Sequence, residues 1–319
     1  MTPRPAPRSS SVVLAPSAAL AAGLNPVLTV EAEYGSYVVE GSRYTAAHHQ
    51  KSGQFAGRHV VEGGRPSPCN DPAIPEIEEG IVLVSHVDLD TLGGVWRGQG
   101  RNGLFISYAS FWNLAEYVDV NGPHKLGSSG ASSEDLERLY AFWAYSKGLP
   151  RFGREKVTDI TEIVNAAAEV MAGILCGDAA LLEAGAVFRA VEEELNEATF
   201  SEFCFDSGVM IRESHKASEF VNHLYRMPES FGPEVGRVVI CHNTFLGTIT
   251  ISVADPIPGF SCRDVVQNLW GYEAGGHDGI AGSPRGRVMT RDDLSEAIAH
   301  VEDELEDCRT FNPWPTPTV

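Results

Sequence analysis

The stretch Gly80–Gly94, GIVLVSHVDLDTLGG, decides how the rest of the chain is read. It begins with a continuous apolar run, Ile81 to Val84, of the kind a strand shows when both faces of its sheet are covered. Ligand-type residues follow at once. If the extended backbone continues, alternation sets His86, Asp88 and Asp90 on one side and Val87 and Leu89 on the other. Carboxylates mixed with imidazole suit Mn2+, Zn2+ or Fe2+ better than Ca2+ or Mg2+ alone, and α/β folds build sites at the carboxyl ends of strands. The plainer alternative is a loop whose aspartates cap a helix starting near Thr91. A cap needs one Asp, however, and leaves His86 unexplained.

Upstream, Val27 to Glu40 reads as two short strands about a Gly-containing turn, followed by a polar, Gly/Pro-rich loop to about Pro75. That loop carries His48-His49. Adjacent histidines cannot face the same way on a strand, so one could bind metal while the other points at substrate or a supporting carboxylate. Residues 1–22, rich in Pro, Ala and Ser, read as a disordered tail; a secretory signal is the alternative, against which Pro16 argues. Downstream, 109–117 and 133–147 read as helices, the second with Ser132 and Asp135 resembling a capping box. Asp119 and His124 lie in YVDVNGPHKL, where a Gly-Pro turn fixes the direction of His124. The clusters together supply four imidazoles and three carboxylates, enough for a two-metal site. Helices at 159–175, with Asp159 and Glu162 as its box, and at 178–198 read as a bridge.

After residue 200 the texture changes to strands and loops, with helices at 261–270 and 291–306. The expected fold is therefore α/β in two domains: a tail at 1–22, a parallel-sheet metal-binding domain at 23–150, a helical connector at 151–200, and a smaller α/β substrate-binding domain at 201–319. A length of 319 residues fits two domains. With 24 basic and 43 acidic residues the net charge is −19, which repels phosphate backbones and argues against long nucleic acid as a partner. No apolar stretch reaches a membrane span, since the run from Val12 to Leu24 is broken at Pro16 and Ser17. Six cysteines without a CxxC pair point to neither a zinc ribbon nor a disulfide scaffold, and a cytoplasmic setting is expected.

One further segment carries chemistry: Ala274 to Gly286, AGGHDGIAGSPRG. Paired Gly275 and Gly276 permit close approach of a ligand to backbone N–H groups, His277 can donate to an anion, and Arg285 offers a planar fork for phosphate or carboxylate. The alternative is a Gly-rich turn with an exposed arginine.

Taken together, SHVDLDTLGG and AGGHDGIAGSPRG resemble the first metal motif and the Gly-Gly-His loop of the DHH phosphoesterase superfamily. The resemblance spans most of residues 27–308 and implies two divalent metal ions, usually Mn2+, with Zn2+, Fe2+ or Mg2+ as alternatives. It implies His86, Asp88 and Asp90 as metal ligands, Asp119 as a bridging or terminal ligand, and His277 with Arg285 as the hold on the substrate's anionic group. One His and two Asp cannot satisfy two metals, so His48 is expected as a further ligand, and Gly275, Gly276 and Ser283 complete the expected substrate-binding set. His49 or His124 would protonate the leaving oxygen. The family's namesake Asp-His-His follows its first motif, whereas here the only His-His pair precedes it and Ala47 replaces the aspartate. Either the first domain is circularly permuted, or His124 after Asp119 takes over the role. The expected function is a metal-dependent hydrolase of a small anionic metabolite, a phosphomonoester or short nucleotide, acting through a metal-activated water. Hydrolysis of a C–N bond in an amide or amidine is the first alternative, and a non-catalytic ligand sensor the second. The expected partners are a small anionic substrate and, for assembly, a second copy of the chain, with no membrane.

Overall fold

The computed structural model describes residues 9–32, 39, 42–46, 59–60, 67–150, 155–216, 224–228, 235–284 and 287–311. The chain divides into two compact α/β units, Met1–Arg189 and Ala190–Val319.

In the first unit, strand β1 (Ser9–Leu14) leads into a short helix α1 (Ala18–Ala21), whose N-cap Ser17 accepts from the Leu20 N–H. Strands β2 (Leu28–Val30), β3 (Tyr44–Ala46), β4 (His59–Val60) and β5 (Glu79–Val84) follow, then helices α2 (Leu89–Gly98), α3 (Ala109–Asn121) and α4 (Ser133–Lys147). A two-residue strand β6 (Thr158–Asp159) and helix α5 (Thr161–Leu175) complete it, and helix α6 (Ala179–Thr199) carries the chain across the division. The sheet order is β4-β3-β2-β5-β1-β6, parallel throughout except for β6.

Both faces of this sheet are covered, which accounts for the unbroken apolar runs. Val12, Leu14, Val82 and Val84 pack with the residues of α2 to α5, whereas Val13 and Leu83 pack on the other face with Ala15 and Ala21. The connections reverse direction between β2 and β5: the chain leaves β2 for β3 on one side, and leaves β5 for β6 on the other. In parallel α/β sheets the crevice at such a reversal, outside the carboxyl ends of the strands, is where ligands bind.

Several expectations need correction. Residues 9–14 are not part of a tail. The run Val12-Val13-Leu14-Ala15, stopped by Pro16, is a buried strand of the same kind as Ile81–Val84, and it pairs with β5 along its whole length. Leu28–Val30 is not one arm of a hairpin, because its partners are the parallel segments Tyr44–Ala46 and Val82–Val84. Helix α5 is no connector: Val164, Ala167, Ala168, Met171 and Ile174 are core residues of the first unit, and the division falls inside α6. The start of α5 is set by an Asp159 carboxylate accepting from the Thr161 N–H at 2.9 Å, without help from Glu162. The capping arrangement at α4 is as expected, with Asp135 N–H donating to Ser132 Oγ at 3.1 Å.

In the second unit, β7 (Phe200–Cys204), β8 (Val209–Ser214), β9 (Val238–Asn243) and β10 (Thr248–Val253) precede helix α7 (Cys262–Trp270). Strands β11 (Gly275–His277) and β12 (Ile280–Gly282) and helix α8 (Arg291–Phe311) follow. The order β11-β12-β10-β9-β8-β7 makes a mixed sheet in which only β8 and β9 run parallel. Arg212 is fully buried beneath it. Its guanidinium donates to the carbonyls of Leu224, Asn196 and Arg226 and to the Asn196 and Thr199 side chains, so every N–H has an acceptor and β8 is tied to the end of α6. Among the described residues no single helix is long and apolar enough to cross a membrane. All six cysteines are free thiols.

Candidate metal centre

The carboxyl end of β5 does not continue in extended form through Asp90. The strand ends at Val84, and α2 begins at Leu89 with Asp88 as its N-cap, accepting from the Thr91 N–H at 3.2 Å. The capping alternative therefore describes Asp88 correctly, yet the ligand-type residues still converge. His86 Nε2 lies 2.9 Å from Asp88 Oδ2, and Asp90, in the first turn of α2, is 7% exposed and hydrogen-bonded to Asp88.

Two further carboxylates press on Asp90 electrostatically: Asp119, from the last turns of α3, and Glu31, which follows β2 directly. Glu31 has its side chain buried at 1% exposure and its backbone at φ +48, a left-handed conformation that a glutamate adopts only when its surroundings impose it. Those surroundings are visible: the Glu31 N–H donates to the Ala46 carbonyl at 2.9 Å, and the Ser85 hydroxyl donates to the Glu31 carbonyl. Glu31 and the His86–Asp90 segment thus flank the reversal crevice between β2 and β5.

The electrostatics follow from this crowding. Burial, then the charge and hydrogen bond of Asp88, then the charges of Asp119 and Glu31 push the Asp90 carboxyl far above the ordinary carboxylate range. Asp88 goes the other way. What burial its half-exposed side chain has raises it, but hydrogen bonds from His86 and Asp90 and the imidazole charge outweigh that and hold it low. The pair is thus driven apart, Asp90 toward its neutral form and Asp88 toward its ionised form, where neighbouring negative charge favours a cation.

The 3-10 turn Pro68–Asn70 packs against α2 and α3 near the cluster. Arg97 donates to the Cys69 carbonyl at 2.9 Å, and the Cys69 thiol, fully buried, has its pKa raised by burial and by the charges of Asp90, Asp119 and Glu116. It is an inert thiol at neutral pH. The glycines of TLGG permit this approach: a Cβ on Gly93 would stand 2.5 Å from Cys69 Cβ, and one on Gly94 2.6 Å from Val30 Cγ1.

His124 is buried in the 3-10 segment after α3, with its ring folded back on Gly122, whose φ is +85. His48 and His49 lie outside the described residues; they follow β3 in the sequence. Among the described residues, no three His, Cys, Asp or Glu side chains are already gathered around a common metal position. The donor set nevertheless fits a hard divalent cation, with carboxylates in excess and one imidazole.

Sequence reasoning missed Glu31 and Cys69. The signal for Glu31 was an acidic residue directly after an apolar run, hidden by the hairpin reading of Val27–Glu40. Nothing in the sequence marked Cys69.

In the second unit the Gly-Gly-His segment is a hairpin edge of the sheet and not an open loop. A Cβ on Gly276 would stand 2.4 Å from the Ile280 carbonyl oxygen, so cross-strand approach already requires glycine there. Gly275 has nothing within 4 Å of such an added carbon. The Ser283 hydroxyl accepts from the Ile249 N–H at 3.1 Å, and Arg285 lies outside the described residues. Asp278, at the hairpin turn, pairs with Arg263 at 3.2 Å and accepts from Ser261 Oγ at 3.1 Å.

Neither a protein-family model nor a curated protein matches the chain. Solved structures similar to it include the pGpG-specific phosphodiesterase PggH from Vibrio cholerae, 10% identical with a TM-score of 0.43, over 78% of this chain and 92% of that one. RecJ from Thermus thermophilus in complex with Mn2+ is 15% identical with a TM-score of 0.39, over 91% of this chain and 45% of that one. An exopolyphosphatase-related protein from Bacteroides fragilis is 10% identical with a TM-score of 0.31, over 95% of this chain and 92% of that one.

Proposed function

We propose that the chain is a metal-dependent hydrolase of a small phosphorylated metabolite, with its metal centre at the carboxyl edge of the first sheet. The observation that supports this most directly is the burial of Asp90 among the carboxylates of Asp88, Asp119 and Glu31, with His86 beside them. Such a cluster is costly as a structural device, because like charges at short range must be neutralised by a proton or a cation.

Glu31, His86, Asp88, Asp90 and Asp119 would hold the metal, with His48 as the candidate that follows β3. Divalent cations bound there supply Lewis acidity toward a phosphoryl oxygen and lower the pKa of water. The chain's own residues do the rest. Asp88 stays ionised and, as the N-cap of α2, has its orientation fixed by the helix. The packed faces of the sheet hold the strands from which the acidic edge projects. His49 or His124 is the proposed donor of a proton to the leaving oxygen. Recognition of the substrate's anionic group is assigned to the second unit, through His277 and Arg285.

Phosphate release from a panel of phosphomonoesters and short nucleotides, with Mn2+ or Mg2+ added to chelator-treated protein, tests the proposal. Metal-dependent release that Asp88→Ala abolishes supports it. Stoichiometric metal without any phosphate release would reject the phosphoester bond and keep the centre.

A further inference from the structure

Asp278 follows His277 directly, and a carboxylate there opposes the anion that the second unit is proposed to hold. It begins the two-residue turn of the β11–β12 hairpin, with His277 paired to Ile280 across it. The Asp278 side chain is 75% exposed, so burial does not suppress its charge. Arg263, in the first turn of α7, answers that charge. Its Nη2 lies 3.2 Å from Asp278 Oδ1, and its Nε donates to the Gly276 carbonyl at 3.1 Å. One guanidinium therefore grips the residue before His277 and the residue after it.

The hairpin is already tied to α7 without this side chain. The N-cap Ser261 hydroxyl donates to the same Asp278 oxygen at 3.1 Å, the Cys262 N–H donates to the Asp278 carbonyl at 2.9 Å, and the Gln267 amide donates to the Ala274 carbonyl at 3.3 Å. An ion pair as exposed as Arg263–Asp278 also adds little to stability. What the guanidinium supplies beyond those ties is charge.

We infer that Arg263 is a positioning residue of the anion site: it cancels the Asp278 carboxylate and fixes the Gly276 carbonyl, so that an anion can settle at the backbone around His277. This role rests on the reading of the second unit given above.

The test titrates inorganic phosphate into the full-length, 15N-labelled chain in EDTA, which keeps divalent metal from holding the phosphate elsewhere. The amide signals of Gly275, Gly276, His277 and Gly279 report binding, and in the wild type they should shift saturably. Arg263→Gln, which keeps an amide donor and loses the charge, should weaken phosphate binding roughly two- to fivefold at low salt, and by less at about 0.5 M NaCl. Adding Asp278→Asn to Arg263→Gln should restore the affinity, because the charge that needed an answer is gone; a merely structural role would gain nothing from the second substitution. Asp278→Asn alone should bind phosphate at least as tightly as the wild type. Equal affinity in wild type and Arg263→Gln overturns the inference. So does a double variant no tighter than Arg263→Gln, or weakened binding in Asp278→Asn alone. Wild-type amide signals that phosphate leaves unmoved would instead reject the segment as an anion site, and the role of Arg263 with it.

Discussion

Asp90 is where the chemistry of the site conflicts most with the stability of the fold. Its carboxyl is raised by burial and by Asp88, Asp119 and Glu31, so in the metal-free protein the folded state keeps a proton that the unfolded chain loses above about pH 4. Its contribution to stability therefore falls as pH rises. The lowered Asp88 acts in the opposite direction, contributing above the ordinary carboxylate pKa and losing that contribution as pH falls below it. Asp90→Asn is neutral at every pH. Chelator-treated Asp90→Asn should lose less Tm than the wild type between about pH 5 and pH 9, and should be the more stable protein at the alkaline end. Thermal melts in EDTA check this; a wild type that gains stability over that range would refute the arrangement. Added Mn2+ should reverse the ranking, stabilising the wild type and not the variant. At this scale the gathering of His86, Asp88 and Asp90 was legible from their types and spacing, although it comes from the helix start at Leu89 and not from alternation along an extended strand. Glu31 was not, because one acidic residue at a strand end looks like any other until the neighbouring strand is known.

Helix α2 and strand β1 decide whether that edge exists at all. Gly93→Ala adds a carbon 2.5 Å from Cys69 Cβ and 2.8 Å from its Cα, where backbone must move. The overpacking cost of roughly 1–3 kcal/mol should exceed the gain of about 1 kcal/mol in helix propensity, so the variant is destabilised. Gly103→Ala, with open space around the added carbon, is the matched control and should be near neutral in the same urea titration. Leu14→Ala should cost roughly 2–5 kcal/mol, a core penalty that no residue of a tail would show. An unchanged urea midpoint for Leu14→Ala would contradict the place of β1 in the sheet. The long helices were legible from their periodicity and caps, and Ile81–Val84 from its unbroken apolar run. The same run at Val12–Ala15 was obscured by the Pro- and Ser-rich residues before it. The hairpin reading of Val27–Glu40 failed because parallel pairing is set by partners distant in sequence, which alternation alone does not reveal.

Across the whole molecule, a net charge of −19 sets the terms on which an anionic substrate can approach. Local cation and cationic side chains must offset that field, so the proposed division of labour predicts separable defects. Arg285→Ala should raise KM while leaving Mn2+ affinity unchanged, and Arg285→Lys should recover only part of the loss, since an ammonium keeps the charge without the bidentate fork. Equal kinetics in wild type and Arg285→Ala would remove the second unit's segment from substrate recognition. The proposed chemistry requires above all that carboxylates at the crevice between β2 and β5 hold a divalent cation. The most direct test is calorimetric titration of Mn2+ into the metal-free full-length chain and into Glu31→Gln, whose substitution keeps size and removes one charge. Saturable binding to the wild type is expected, with an affinity lower by roughly 10–100-fold in Glu31→Gln and both proteins folded. Absence of binding to the wild type, or equal affinity in the two, would contradict a carboxylate-held cation.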